Sequence, residues 1–109
     1  MELGLGLGFG TMLCRMAIPS KHLQDLYQLF GAVETPREAQ KLLSDILTPQ
    51  ELASVAERWQ LIRELAKGTP QRTIAQKLSV SISKITRGSR MLQFGSGGFR
   101  YFLNKLQKN

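Results

Sequence analysis

The sequence predicts an all-α protein of five or six helices that includes a helix-turn-helix. Apolar residues recur at helical spacing through most of the chain, and the alternation typical of β-strands is absent. Thr-Pro pairs, which favour helix starts, begin at Thr35, Thr48 and Thr69. The formal net charge is +7, and no carboxylate follows Glu64. These observations predict a helical domain whose carboxy-terminal part is strongly basic.

The length and the amino-terminal composition divide the chain into an arm and a domain. Residues 1–18 begin by alternating Leu and Gly, and Gly destabilises both helices and strands. We therefore predict a flexible arm over residues 1–18 and a helical domain over residues 19–109. With 109 residues, the chain has room for one modest core.

Several classes of protein are excluded by composition. No apolar run approaches the roughly 18 residues of a membrane-spanning helix, so no membrane association is expected. Cys14 is the single cysteine, which fits a reducing, cytoplasmic environment. One Cys and one His (His22) cannot fill a zinc site, so no metal is expected. There is no phosphate-binding loop or plausible catalytic constellation, so we expect no enzyme.

Three helices are predicted before the helix-turn-helix. The first begins at Ser20 and is interrupted at Gly31. The second and third begin at Thr35-Pro36-Arg37-Glu38 and Thr48-Pro49-Gln50-Glu51, which combine an N-cap threonine, a first-turn proline and a capping-box glutamate. The third runs to about Lys67, before Gly68, and as the longest helix it is expected to be the central strut.

The helix-turn-helix is predicted over about residues 70–92. Thr69 is expected to cap its first helix, with Pro70 at the first helical position. Ser79-Val80-Ser81 forms the turn, and Ser81 caps the second helix, from which Ile82 and Ile85 are expected to point inward. The other side of the second helix is polar and basic, a surface suited to the major groove of DNA.

A last short helix is predicted from Phe99 to Lys108, after a glycine-rich loop. The first two predicted helices carry more apolar surface than the third helix alone can cover, which indicates that a partner protein covers the rest. A two-fold homodimer would also suit a helix-turn-helix. The paired DNA-reading helices of such dimers lie about 34 Å apart, one turn of the DNA helix.

The distribution of charge favours DNA as the partner. Through Glu64 the chain carries six cations and eight carboxylates, and after Glu64 it carries nine cations and no carboxylate. A concentrated positive field attracts polyanions. The nine cations are Lys67, Arg72, Lys77, Lys84, Arg87, Arg90, Arg100, Lys105 and Lys108.

The residues from Leu23 to Leu92 resemble the Trp repressor family. The resemblance is carried by Thr48-Pro49-x-Glu51, by Arg58, by Gln71-Arg72 and most specifically by Ile85-Thr86-Arg87-Gly88-Ser89. It implies an intertwined helical homodimer that represses transcription by binding a palindromic, double-stranded operator ahead of tryptophan biosynthesis or transport genes.

The resemblance also implies L-tryptophan as the corepressor, bound between the long helix and the recognition helix. The two arginines that enclose the indole in the family correspond to Arg58 and Arg87, and guanidinium planes stack well on aromatic faces. Leu47 and Thr48 would supply backbone carbonyls for the ligand ammonium. Gly88 would let the ligand approach the backbone closely.

Six residues match, or extend, the family's groove-facing surface. Arg72 and Lys84 are expected to contact phosphates or guanine edges, and Ser83 and Thr86 to contact bases directly or through water. Water-mediated base contacts are a feature for which the Trp repressor is itself the known example. The full predicted DNA-binding set is Arg72, Ile82, Ser83, Lys84, Thr86 and Arg90.

Two positions depart from the family pattern. Met91 stands where the family has a serine that helps to hold the ligand amino group, and Asp45 replaces a leucine of the pocket. The tail from Leu92 onward is more similar to a wider group of Trp-repressor-like regulators. Two alternatives therefore stay open: a Trp-repressor-like regulator with a different ligand or none, and a helical protein-interaction module.

Overall fold

The computed structural model describes residues 17–107. In that range the chain forms six α-helices and no β-strand, which confirms the predicted all-α class. We number the helices α1 (Ser20–Gly31), α2 (Pro36–Ile46), α3 (Pro49–Ala66), α4 (Gln71–Leu78), α5 (Ile82–Phe94) and α6 (Gly98–Gln107). The predicted arm over residues 1–18 falls outside this range except for Ala17 and Ile18, and so does Lys108 of the predicted last helix.

The chain divides into two compact units, one through Leu42 and one from Leu43 onward. The first unit contains α1 and most of α2, and the second contains the end of α2 and the helices α3 to α6. The extent of the helical domain, residues 19–109, stays a prediction.

Side-chain caps begin both α2 and α3. At α2, the Glu38 amide donates to Thr35 Oγ1 at 3.1 Å, while Glu38 Oε1 accepts from the Glu34 amide at 2.9 Å. At α3, the Glu51 amide donates to Thr48 Oγ1 at 3.1 Å, and the Thr48 amide donates to Glu51 Oε1 at 2.8 Å. Each cap satisfies amide groups that have no partner inside the helix. The predicted helix starts at Thr35 and Thr48 are therefore confirmed.

The predicted cap at Thr69 is wrong. α4 begins at Gln71, and Pro70 rather than Thr69 is its N-cap residue, without a side-chain capping bond. The Thr69 hydroxyl donates instead to Glu64 Oε1 at 2.9 Å. The residue three positions after Thr69 is Arg72 and not Glu, so the reciprocal capping box seen at α3 cannot form here.

The turn between α4 and α5 is tight. Ser79 adopts the left-handed conformation, with φ 54° and ψ 45°. Val80 is only 8% exposed and packs into the core from inside the turn. The Ser81 hydroxyl accepts from the Lys84 amide at 3.2 Å, which confirms the predicted cap of α5.

The helix α5 is buried along one narrow stripe. Ile85 is fully buried, as predicted, but Ile82 is 53% exposed, so the prediction that it points inward is wrong. The buried residues of α5 are Ile85, Gly88 and Leu92, and a stripe through these three positions leaves Ile82 on another side. The helix ends at Phe94, two residues later than predicted.

The core lies where α3, α4 and α5 meet. It is built from Leu61 of α3, Ile74 of α4, Val80 of the turn and Ile85 of α5. A Cβ atom added to Gly88 would lie 3.0 Å from Leu61 Cδ2, closer than side-chain packing normally allows. Gly88 therefore lets α5, the recognition helix, pack directly on α3, the long helix.

By contrast, α1, α2 and α6 bury no residue fully. Their large apolar side chains stay more than a third exposed at Leu26, Tyr27, Leu29, Phe30, Ile46, Tyr101, Phe102 and Leu106. None of the helices within residues 17–107 is long and apolar enough to cross a membrane. These helices thus present apolar faces that the single chain leaves uncovered.

Candidate functional site

The helix α5 presents different residues on opposite sides. With about 100° between successive residues, Ile82, Thr86 and Arg90 share one side with Ser83 beside them. Lys84, Arg87, Gly88 and Met91 share the opposite side. All six residues predicted to bind DNA are exposed, namely Arg72, Ile82, Ser83, Lys84, Thr86 and Arg90. Lys84, however, belongs to the side of α5 that faces α3.

A pocket of about 400 Å³ lies between α3, α5 and the start of α6. That volume falls in the range of about 300–1,000 Å³ that is usual for small-molecule sites. Its lining combines four charged side chains with apolar ones, and consists of Ser54, Glu57, Arg58, Leu61, Ile62, Lys84, Arg87, Gly88, Met91 and Phe99. No group of three or more His, Cys, Asp or Glu side chains that could hold a metal occurs among residues 17–107.

Three of the five residues predicted to bind the ligand line this one pocket. Arg58 comes from α3, and Arg87 and Gly88 come from α5. Leu47 and Thr48 do not line it: Leu47 is half-buried just after α2, and Thr48 caps α3. The two arginines therefore face a common cavity, and the roles of all five residues stay predictions.

Part of the pocket lining is apolar. Met91, at the position of the family serine, is 51% exposed and forms part of the wall. Phe99 of α6 closes the wall and stacks on Trp59 of α3, with ring centroids 6.2 Å apart and an interplanar angle of 29°. Offset aromatic pairs of this kind stabilise packing. Trp59 thus packs against a residue of the pocket lining.

An ion pair joins α3 to α5 within the pocket lining. Lys84 Nζ donates to Glu57 Oε1 at 3.0 Å, and the side chains are 61% and 35% exposed respectively. Lys84 is thereby engaged by a carboxylate of its own chain. The Lys84 side chain stays 61% exposed and has three N–H donors, so its predicted contact with DNA stays a prediction.

A second carboxylate, Glu64, is buried at the base of α4. Its side chain is 8% exposed and accepts from Lys77 Nζ at 2.9 Å and from Thr69 Oγ1 at 2.9 Å. Lys67 Nζ lies 3.4 Å from the same carboxylate. Hydrogen bonds from Lys77 and Thr69 lower the pKa of the Glu64 carboxyl from 4.5 to about 2. Glu64 thus connects α3, the following loop and α4.

Glu57, Ser54 and Phe99 line the pocket but are not among the residues predicted to do so. A signal for the first two was present, because Ser54, Glu57 and Leu61 recur at the spacing of one side of α3, next to Arg58. No such signal marks Phe99, since its position depends on the loop that leads into α6. The contacts of Glu64 with Thr69 and Lys77 were likewise not predicted.

The helix α5 exposes a polar side, packs against the shorter helix α4 and borders a cavity. This arrangement is typical of helix-turn-helix regulators that bind DNA. Residues 21–107 match the protein family described as "Trp repressor protein". The chain therefore belongs to the Trp repressor family, as the resemblance predicted. It is a Trp-repressor-like transcriptional regulator and not an enzyme.

Curated relatives agree with this assignment. A "Trp operon repressor homolog" of Chlamydia trachomatis serovar L2 (strain ATCC VR-902B / DSM 19102 / 434/Bu) is 38% identical over 94 residues, which cover 85% of this chain and 83% of the relative. A protein of the same name from Chlamydia caviae is 36% identical and covers 77% and 84%. Another, from Vibrio vulnificus (strain YJ016), is 42% identical and covers 60% and 65%.

Proposed function

We propose that this chain is a homodimeric repressor that binds a palindromic operator when L-tryptophan occupies the pocket. The genes controlled are those of tryptophan biosynthesis or transport. The observation that carries the proposal is the pocket itself, which Arg58 lines from α3 and Arg87 and Gly88 line from α5. Relatives named "Trp operon repressor homolog" support the part of the proposal that concerns repression of a Trp operon.

The chemistry of the pocket suits an aromatic amino acid. Guanidinium groups stack on an indole face and can pair with a carboxylate in two parallel hydrogen bonds. Leu61 and Phe99 add apolar contacts for the ring. A ligand between Arg58 and Arg87 would touch the long helix and the recognition helix at the same time.

Binding of the ligand can then control the tilt of α5. A ligand shifts an equilibrium only when it binds one state better than the other. If the cavity admits L-tryptophan fully only when α5 is tilted outward, the ligand favours that orientation. L-tryptophan then holds α5 in the outward orientation, in which Ile82, Ser83 and Thr86 contact the major groove.

Titration calorimetry with L-tryptophan tests the ligand, and electrophoretic mobility shift tests the DNA. Arg87→Ala should abolish the heat of binding, because Arg87 lines the pocket. Arg90→Ala is the matched control: it lies on the same helix outside the pocket lining, so it should keep ligand affinity and weaken DNA binding. If the wild-type protein gives no heat at millimolar L-tryptophan, L-tryptophan is not the corepressor. The mobility shift then tests operator binding on its own.

A regulator with another ligand is the second candidate, and one observation favours it. The side chain at the position of the family serine is Met91, whose thioether is a weak hydrogen-bond acceptor, and Phe99 makes the adjoining wall apolar. A pocket of this kind also accepts other apolar amino acids. The same calorimetry with L-phenylalanine, L-leucine and L-tryptophan distinguishes the two candidates by their order of affinity.

A further inference from the structure

Ile82 is the one large apolar side chain among the six residues predicted to bind DNA. It is the first residue of α5 and stays 53% exposed. Ser83, Thr86 and Arg90, its neighbours on that side of α5, all carry groups that form hydrogen bonds. Single exposed apolar residues are common on protein surfaces, so exposure alone does not indicate a function. The position of Ile82 on the recognition helix is what gives its exposure a meaning.

The backbone is fixed on both sides of Ile82. Val80, two residues before it, is 8% exposed, and Ile85, three residues after it, is fully buried. Ser81, which directly precedes Ile82, caps α5 by accepting from the Lys84 amide at 3.2 Å. The β-branched side chain of Ile82 is itself restricted to few rotamers. Ile82 is therefore an apolar group held in a defined position, and it loses little conformational entropy when a partner covers it.

The major groove of DNA offers one kind of apolar group to such a side chain. The first residues of a recognition helix contact base edges. Among the four bases, only thymine carries a methyl group at the groove edge, on C5, and the other groups at that edge are hydrogen-bond donors and acceptors. Ser83 and Thr86 can bond to donors and acceptors, whereas the Ile82 side chain cannot. The base that suits Ile82 is therefore thymine.

We propose that Ile82 selects a thymine in each half of the operator by contacting its C5 methyl group. The inference rests on the proposed function, because it assumes that α5 enters the major groove of a palindromic site. Burial of one methyl group favours binding about fourfold. A homodimer with this contact in both half-sites should therefore prefer thymine to uracil, which lacks only the methyl group, by about fifteenfold.

Uracil substitution in the DNA tests this contact. The wild-type protein selects a duplex from a random pool with millimolar L-tryptophan, and uracil then replaces each symmetric pair of thymines in turn. Uracil keeps the base pair and the O4 acceptor, so only the methyl group is lost. Mobility shift should show one pair of positions at which uracil weakens wild-type binding about fifteenfold. At that pair Ile82→Ala should bind the thymine and uracil duplexes equally, and Ile82→Val should keep part of the preference.

Thr86→Ser is the matched control. It keeps the hydroxyl group and removes the other methyl-bearing side chain among Ile82, Ser83, Thr86 and Arg90. This variant should keep the wild-type preference for thymine. Arg90→Ala should weaken binding to the thymine and uracil duplexes by the same factor, because an arginine side chain bonds to acceptors and does not recognise a methyl group.

The outcomes separate the methyl contact from operator binding itself. If uracil weakens Ile82→Ala as much as wild type, the methyl group acts through DNA shape or another residue, and the inference is wrong. Loss of the preference in Thr86→Ser but not in Ile82→Ala assigns the thymine to Thr86 and also overturns it. If the selected half-sites contain no thymine that is sensitive to uracil, the methyl contact fails while operator binding survives. If the wild-type protein selects no sequence from the pool, operator binding and the inference fail together.

Discussion

Ile82 and Ile85 lie one turn apart on α5 and have opposite surroundings. Ile85 is fully buried against α3 and α4, while Ile82 is 53% exposed beside the polar side chains of the predicted DNA surface. The same residue type thus serves the core at one position and an outer surface at the other. The same substitution at Ile85 and at Ile82 therefore tests the effect of position alone, because the side chain removed is identical.

Ile85→Ala should lower the free energy of unfolding by about 2–4 kcal/mol, because it leaves a cavity in a close-packed core. Ile82→Ala should change that free energy by less than about 0.5 kcal/mol and should instead weaken DNA binding. Urea denaturation and mobility shift measure the two effects. Equal destabilisation by both variants would show that Ile82 is covered in the working molecule.

Residue by residue, the sequence predicts well where chemistry is local. The pairing of Arg58 with Arg87 across one pocket follows from the family resemblance and agrees with the cavity, although their roles stay predictions. The direction of Ile82 was misjudged because helical spacing alone does not say where the buried stripe of α5 is centred. That centre depends on Gly88, whose missing side chain lets Leu61 approach.

At the scale of elements, Glu64 connects three segments: the end of α3, the loop that follows it, and α4. Its carboxylate holds Lys77 of α4 and Thr69 of the preceding loop from the end of α3. Buried carboxylates are stable only when such partners are present. α4 is therefore held to α3 by a buried carboxylate as well as by the apolar core.

Acid should weaken this connection. The pKa of Glu64 is lowered to about 2 in the fold from 4.5, so its stabilisation is complete above pH 4.5 and is lost as pH falls toward 2. Glu64→Gln should be less stable than wild type at pH 7 and should show a flatter dependence between those pH values. Urea denaturation across this range is the measurement.

The matched control for Glu64 is Asp25→Asn. Asp25 accepts from Lys21 at 2.7 Å, but both side chains are more than half exposed, so solvent screens the pair. This variant should keep the wild-type acid dependence. If the free energy of unfolding of Glu64→Gln falls with acid as steeply as that of wild type, other carboxylates cause the pH dependence.

Helix starts show why some elements were predictable and one was not. At Thr35 and Thr48 the capping bonds involve neighbouring residues, so the sequence contains the whole interaction. At Thr69 the decisive partner is Glu64, in a different helix. Whether a threonine caps a helix or binds a buried carboxylate is settled by tertiary contacts that short-range patterns do not contain.

For the whole molecule, the uncovered apolar faces of α1, α2 and α6 are the main feature. Exposed fractions of 64% at Tyr27 and 45% at Phe30 are high for side chains of this size. Patches of this kind usually mark a protein interface. A second copy of the chain is the partner that the proposed function requires.

Sedimentation should therefore give twice the monomer mass of 12.2 kDa at micromolar concentration. Phe30→Lys should shift the protein toward monomer, because it adds a charge to the apolar face of α1. Gln28→Lys adds the same charge to the polar side of α1 and should leave the dimer intact. A wild-type protein that sediments as a monomer at all concentrations would refute the homodimer.

The stack of Trp59 on Phe99 has a practical consequence. The chain contains one tryptophan, so any intrinsic indole emission of the ligand-free protein comes from Trp59. Its ring lies against α6 and directly behind the pocket wall. The emission wavelength therefore reports whether α6 is docked on α3. This single indole makes the packing of α6 on α3 observable in solution without any added label.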